Sequence, residues 1–473
     1  MGDVYSQVKD GNLGRSSVVT GTGTQVKVGV SSVTSSTPIQ ITGTMDADTI
    51  KAKLGNCPLA DACICSIEWG ATDILAVPVA ATTAGTVGTI AHTGTGAGTF
   101  TVQGSPNNDF NVVVEITEGG ENNDAEFKYT LNGGEIWSDE IVVPLNGSYE
   151  VPLTGLTFKF TENNDGDSWK AGDKYTFTTT APSASNADIL AGVRSLFNFP
   201  GAFEFIHVVG TTTAALWASI ATISDQFVNT YKYPVMFVLE ARNAAASESV
   251  DTYVTAMEQE AKGVSNFRVQ VVDSWSEYVR ADGAVVPMNN ASIVTGLYCR
   301  AKESQSIGYV REFPISEGKI VRLLPDGIED YVDRLDAAKY LTIKKYKGID
   351  GYFVNNARMQ CPNGSDYTYA EDVRVSNRLM KAVRAAALNE LQIEIDPTNI
   401  EADLVKIEER LNIPIETAAN TDKIISSGRL TIDRDNLNIL VDEELSATIS
   451  YVPMGHARTI NLTFQVENPY SAS

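Results

Sequence analysis

The chain has 473 residues, 43% of them hydrophobic and 20% charged, and 36 Lys and Arg stand against 59 Asp and Glu, a formal net charge of −23. That length corresponds to about three domains, and the apolar content is enough for packed cores, which excludes wholesale disorder. The acidic balance argues against a nucleic-acid partner and against direct binding to an anionic membrane, because both reward clustered cations.

Residues 1–20 are polar and read as an extended N-terminal arm. Residues 1–15 hold no apolar run of the kind a secretory signal needs, and no stretch reaches the ~18–20 apolar residues of a membrane span. Residues 21–80 read as the first part of a core. Val26, Val28 and Val30 alternate as in a strand, a short helix is expected around 46–54, and 64–69 and 74–80 read as two short buried strands. Cys57, Cys63 and Cys65 fall here, and with Cys299 and Cys361 they make five. An odd number at irregular spacing points to free thiols in a reducing compartment. The three clustered cysteines have no further Cys or His near them in sequence. Cys63 and Cys65 lie in an apolar run, so the cluster reads as small buried hydrophobes rather than a thiolate metal site.

Composition changes sharply at residue 81. Between 81 and 182 the sequence is rich in Gly, Thr, Asn and Asp, with 14 acidic and 4 basic residues. Short alternating runs at 110–116, 126–130, 141–143, 157–160 and 174–178 are separated by turn-rich clusters. Residues 81–185 therefore read as an inserted all-β, sandwich-like domain bounded by small-residue linkers. From 186 to 345 helices (187–197, 212–229, 248–262, 291–301) alternate with strands (204–209, 234–239, 267–272), which implies an α/β core with a largely parallel sheet.

Residues 346–458 read as a C-terminal α+β domain. Strands are expected at 340–346 and 351–354, and the longest helix at 369–391, with Val375, Leu379, Ala382 and Ala386 on one face. A second helix at 399–411 carries Ile400, Leu404, Ile407 and Leu411 as a stripe, and Asp396-Pro397-Thr398 marks its start. Four strands close the chain, at 429–433, 437–441, 445–452 and 459–467. The last belongs to a C-terminal arm, 459–473, with Ile460, Leu462, Phe464 and Val466 on one face and Asn461, Thr463 and Gln465 on the other. Such a strand adds to its own sheet or to a neighbour's. The fold class is thus multidomain α/β and α+β, with an all-β insert and extended arms at both ends.

Little chemistry is legible. None of His92, His207 and His456 has a second His at metal-ligand spacing. Nucleophile-elbow, phosphate-loop and dinucleotide-binding patterns are missing. The Asn/Asp run at 163–167 resembles a calcium loop, but Ser168 stands where the loop glycine belongs and Lys174 where the closing Glu belongs, so it reads as a turn. No catalytic, cofactor-binding or metal residue is expected, and a structural role is favoured over an enzyme.

Three segments of the C-terminal third carry a resemblance. The strand Gly351-Tyr352-Phe353-Val354-Asn355-Asn356-Ala357 precedes the helix Asp372-Val373-Arg374-Val375-Ser376-Asn377-Arg378-Leu379. Then come Ser427-Gly428-Arg429-Leu430 and the strand-turn Ile449-Ser450-Tyr451-Val452-Pro453-Met454-Gly455. This order resembles the shared domain of contractile-tail sheath proteins of phages, bacteriocins and injection systems; the helix opens with one Arg where the family's turn has two. The resemblance implies a subunit that polymerises with itself into stacked six-membered rings around a tail tube and contracts to drive that tube through a cell envelope. It also implies baseplate and tail-terminator partners, no cofactor, and a place in a virion tail or contractile particle assembled in the bacterial host cytoplasm. Its arms would add strands to a neighbour's sheet through Val4, Tyr5, Val8, Val18 and Val19 at one end and Ile460, Leu462, Phe464 and Val466 at the other. Two other classes stay open on the residues alone: a non-contractile surface-array or adhesive protein, and an α/β hydrolase.

Overall fold

The structure is a computed structural model and describes residues 21–466 except 164, 165, 167 and 436. Strand β1 (Thr24–Val30) runs through the middle of a six-stranded sheet, which explains why every residue from Gln25 onward in it is buried. β2 (Ile39–Thr42) leads to helix α1 (Ala47–Leu54), whose Asp46 accepts from the Thr49 N–H as its N-cap. Helix α2 (Pro58–Glu68) and strand β3 (Asp73–Val79) follow.

The strand expected at 64–69 is therefore helical. Helix α2 buries Leu59, Ala60, Ala62, Cys63, Ile64, Cys65 and Ser66, so it is apolar nearly all round and its helical period is hidden. It lies so close to a later helix that a Cβ at Gly296 would come within 2.6 Å of Trp69 Cβ.

After β3 come nine strands among the described residues: β4 (Thr86–Val87), β5 (Ala91–Thr93), β6 (Thr99–Gly104), β7 (Asn111–Glu118), β8 (Glu126–Thr130), β9 (Ile141–Val142), β10 (Ser148–Val151), β11 (Leu156–Thr161) and β12 (Lys174–Thr180). They form a three-stranded sheet, β10-β11-β6, and a larger sheet in which β12 and β7 are central. Phe100, Phe158 and Phe160 of the first share one core with Val112, Val114, Phe127, Tyr175 and Phe177 of the second. Face-sharing sheets of this kind make a sandwich.

The main sheet then resumes. Helix α3 (Asn186–Arg194), strand β13 (Phe205–Thr211), helix α4 (Ala214–Asn229), strand β14 (Met236–Glu240), helix α5 (Val250–Glu260) and strand β15 (Val269–Val272) complete the order β15-β14-β13-β1-β3-β2. All neighbours are parallel except β2 and β3. Next comes a three-stranded sheet that no sequence expectation covered, made by β16 (Trp275–Val279), β17 (Val285–Asn289) and β18 (Ile320–Leu324), with helix α6 (Ala291–Arg300) between β17 and β18. Helix α7 (Val332–Ala337), strands β19 (Ile343–Lys345) and β20 (Tyr352–Val354), and the long helix α8 (Ala370–Leu388) follow.

The chain divides into two compact units after Ile393. Helix α8, expected in the C-terminal part, belongs with the first unit because Ala370 and Val373 lie in the same core as Phe205 and Phe237. The second unit contains helix α9 (Ile400–Glu416), strand β21 (Ile425–Ile432), the short helix α10 (Ile439–Asp442) and strand β22 (Ala447–Pro453). Two of the four closing strands are thus corrected. Residues 437–441, expected as a strand, lead into α10, with Leu440 and Val441 exposed, and 459–466 lie in no strand. Alternation makes a segment competent to pair, but a strand exists only where a partner ladder is present.

Candidate assembly surfaces

In the second unit, Leu404, Ile407, Leu411 and Ile415 of α9 are buried, as are Leu430 and Ile432 of β21. At Gly428 the helix comes so close that a Cβ would lie 2.8 Å from Ile415 Cγ2. β21 and β22 pair antiparallel with Leu430 opposite Ile449 and Ile432 opposite Ala447.

The two edges of this two-stranded sheet differ. Along β21, Asn412 of α9 accepts from the Leu430 N–H at 2.7 Å and donates from Nδ2 to the Leu430 carbonyl at 2.9 Å. One turn earlier, Glu408 Oε1 accepts from the Ile432 N–H at 2.6 Å. Arg434 donates to both Glu408 oxygens at 2.7 and 3.1 Å and holds that carboxyl below its ordinary pKa. Side chains thus occupy the groups a further strand would use. Along β22 no further strand lies among the described residues.

Beyond β22 the chain runs out exposed: Ile460 is 75%, Leu462 73%, Phe464 92% and Val466 98% accessible. Large apolar side chains at such exposure mark a contact surface or a hazard. Val4, Tyr5, Val8, Val18 and Val19 lie outside the described residues. Sequence reasoning missed Glu408 and Asn412. Their signal was present, since they are two polar residues four apart beside the apolar stripe Leu404, Leu411, Ile415.

In the first unit, Arg374 and Arg378 of α8 hold the start of the described chain. Arg374 is 1% exposed; its Nε meets Glu204 Oε1 at 2.5 Å and its Nη2 donates to the Tyr298 carbonyl at 2.9 Å. Glu204 also accepts from the Gly23 N–H at 2.8 Å. Arg378 meets Glu303 at 2.7 Å, and the Thr22 hydroxyl donates to the same carboxyl at 2.7 Å. The first described residues, Thr22 and Gly23, are therefore tied to α8 through Glu303 and Glu204.

The buried ionisable groups are internal. Lys27 Nζ lies 2.7 Å from His207 Nδ1, and His207 Nε2 lies 2.9 Å from Glu240. Burial lowers Lys27 to about 8, raises Glu240 to about 7 and pushes His207 down. Cys57, Cys63, Cys65 and Cys361 are buried as free thiols, and burial raises Cys63 and Cys65 to about 12, so they are protonated near neutrality. Among the described residues no group of three His, Cys, Asp or Glu side chains is placed to hold a metal ion, and no helix is long and apolar enough to cross a membrane. His92 stacks on Tyr175 at 4.5 Å, and His456 lies exposed after β22.

The family model described as DUF2586, N-terminal domain, matches residues 1–358, and that described as DUF2586, C-terminal domain, matches residues 366–471. No curated protein matches the chain in sequence. Among solved structures, the sheath tail protein of Desulfitobacterium hafniense is 13% identical; the match covers 96% of this chain and 100% of that one with a TM-score of 0.51. The chain therefore has the fold of a sheath tail protein. Also similar are the Listeria innocua sheath tail protein (11% identity, 92% and 96% covered, TM-score 0.46) and a chain of the contracted anti-feeding prophage baseplate (11%, 98% and 97%, TM-score 0.48).

Proposed function

Because the chain belongs to the DUF2586 family and is folded as a sheath tail protein is, we propose that it is the repeating subunit of a contractile tail sheath. The observation that carries this reading is the fold match over the full length of a sheath tail protein. Copies of the chain stack as six-membered rings around a tail tube, bounded by baseplate and terminator proteins, in a virion tail or similar particle assembled in the bacterial cytoplasm. Contraction is a rigid-body change between two packings of the same subunits. Residues 81–185 form an acidic projection on the outside of the tube of subunits, and no catalysis is involved.

The arms knit the subunits. Residues Val4, Tyr5, Val8, Val18 and Val19 of one arm, and Ile460, Leu462, Phe464 and Val466 of the other, add to sheets of neighbouring copies. Burying four apolar side chains gains roughly 6–12 kcal/mol. Ordering the eight residues 459–466 costs roughly 8–16 kcal/mol, and ladder hydrogen bonds return roughly 1 kcal/mol each. One arm alone is close to neutral, so a stable particle needs many arms engaged at once.

Electron microscopy of the purified chain at rising concentration, with and without a tube partner, tests the proposal. Hollow striated cylinders are expected, and a chain lacking 459–473 is expected to stay soluble and unpolymerised. Flat lattices, or monomers that persist beside a tube, would refute the sheath reading; normal long cylinders from the truncated chain would refute the arm.

A further inference from the structure

We propose that Arg268 and Asn377 of the first unit form an oxyanion site that takes a carboxylate from a second copy of this chain. The proposal rests on the sheath reading for the presence of that copy, and it adds a polar contact at which copies meet.

Two arginines are buried among the described residues, Arg268 and Arg374. Arg374 meets Glu204, whereas Arg268, 7% exposed at the entry to β15, makes no ion pair among the described residues. Its Nε donates to Asn377 Oδ1 at 3.0 Å, its Nη2 reaches only the Met380 sulfur at 3.6 Å, and the guanidinium lies over the Phe267 ring at 4.3 Å. A guanidinium has five N–H donors and a thioether is a weak acceptor, so most of the fork meets no oxygen. Burial disfavours the charge, and Tyr367 and Asp225 offset this only in part. Asp225 is itself engaged, with Oδ1 accepting from Asn266 Nδ2 at 3.0 Å. Asn377 is a second, independent sign. It is 2% exposed, and its Nδ2 has no acceptor among the described residues. Turning the amide would not cure this, because its oxygen already accepts from Arg268 and the turn would set donor against donor. Buried donors without acceptors are costly, and a buried cation without an anion more so. An anion with two oxygens satisfies both, and the arginine fork has the shape for one.

Met380 is the way in. It lies one turn after Asn377 on α8, is 37% exposed, and has an unbranched side chain that can swing aside. The incoming carboxylate takes the place of its sulfur on Arg268 Nη2 and accepts from Asn377 Nδ2 as well. Charge points to the source of that carboxylate. Each copy carries 59 Asp and Glu against 36 Lys and Arg, so assembly of identical chains brings an excess of carboxylates to a cationic site. A dispersed copy leaves the guanidinium unpaired, and an assembled one pairs it, so the site favours assembly.

The test is zero-length carbodiimide coupling, which joins a lysine amine to a carboxylate in direct contact. Full-length Arg268→Lys is mixed with an excess of isotope-labelled parent chain, assembled and coupled, and lysine–carboxylate couplings elsewhere in the parent serve as the control. Mass spectrometry is expected to find position 268 joined to an Asp or Glu of a labelled copy in the assembled sample and not in the dispersed one. Coupling only to acids of its own unlabelled chain, or none at position 268 while the control couplings form, would overturn the proposal. Arg268→Met separates a contact from a structural role. Dispersed, it is expected to melt no lower than the parent, because an unpaired buried cation has been removed, while the concentration needed for assembly rises about tenfold or more. A lower melt with unchanged assembly would overturn the proposal. So would inorganic phosphate raising the melting temperature of the dispersed parent, but not of Arg268→Met, while the two assemble alike; the occupant would then be a free anion. These outcomes leave the sheath reading intact, whereas it fails separately if the unaltered chain builds flat lattices or stays monomeric beside a tube.

Discussion

Arg374 offers the sharpest test of how the first unit is held together. Its side chain is 1% exposed and pairs with Glu204 at 2.5 Å. It also donates to the carbonyls of Tyr298 at 2.9 Å and of Ala301 and Lys302 at 3.3 Å each. Arg374→Ala leaves a buried carboxylate without its cation, a loss of about 3–5 kcal/mol. The stranded carbonyls add about 1 kcal/mol each, so a loss of about 5 kcal/mol or more is expected. The assay is urea unfolding followed by fluorescence of the buried Trp217. Arg374→Met with Glu204→Gln removes both charges together, and the double variant is expected to recover about half the loss, because most of the single-variant penalty is the uncompensated charge. A single variant within about 1 kcal/mol of the parent would refute this account, as would a double variant no better than the single.

Two further predictions concern other parts of the chain. Asp273 is buried, with one oxygen accepting from Tyr253 and the other without a partner, and burial raises its carboxyl to about 7. The folded chain thus keeps a proton that the unfolded chain releases from about pH 4 upward; this stabilisation is complete below that pH and is lost as pH rises through 7. Asp273→Asn cannot titrate, so its Tm should fall less than the parent's from pH 5 to about pH 8; parallel calorimetric profiles would sink the idea. In the second unit, Gly428→Ala places a methyl 2.8 Å from Ile415 Cγ2 and 3.0 Å from Tyr451 Cβ. Overpacking of this kind costs about 1–3 kcal/mol, so thermal melting of the second unit should shift down, and an unshifted melt would show that α9 yields.

The parts of the fold with a single clean period were legible. The run at 126–130 coincides with β8, that at 174–178 lies within β12, and the expected helix at 369–391 contains α8. The failures share a cause. Helix α2 is buried nearly all round, with Asp61 and Glu68 its only charged residues, too few to reveal its period. β16 and β17 form a local hairpin over residues 275–289, but the pairing of β16 with β18 reaches across helix α6, over tens of residues that no local window contains. Residues 437–441 have strand-like composition, but Leu440 and Val441 stay exposed and no neighbouring ladder recruits them.

The same logic separates what the sequence can say about the arms from what only the sheet can say. Alternation at Ile460, Leu462, Phe464 and Val466 reports that a segment will bury one face if given an edge. It contains nothing about which edge, because ladder bonds are made by main-chain groups common to every residue. In the second unit, Asn412 and Glu408 accept from the outward N–H groups of Leu430 and Ile432. A polar pair beside a buried apolar stripe is costly unless it is satisfied, and here the partners that satisfy it are the edge groups of β21. The residues that close one edge are thus held in place by the hydrogen bonds that close it.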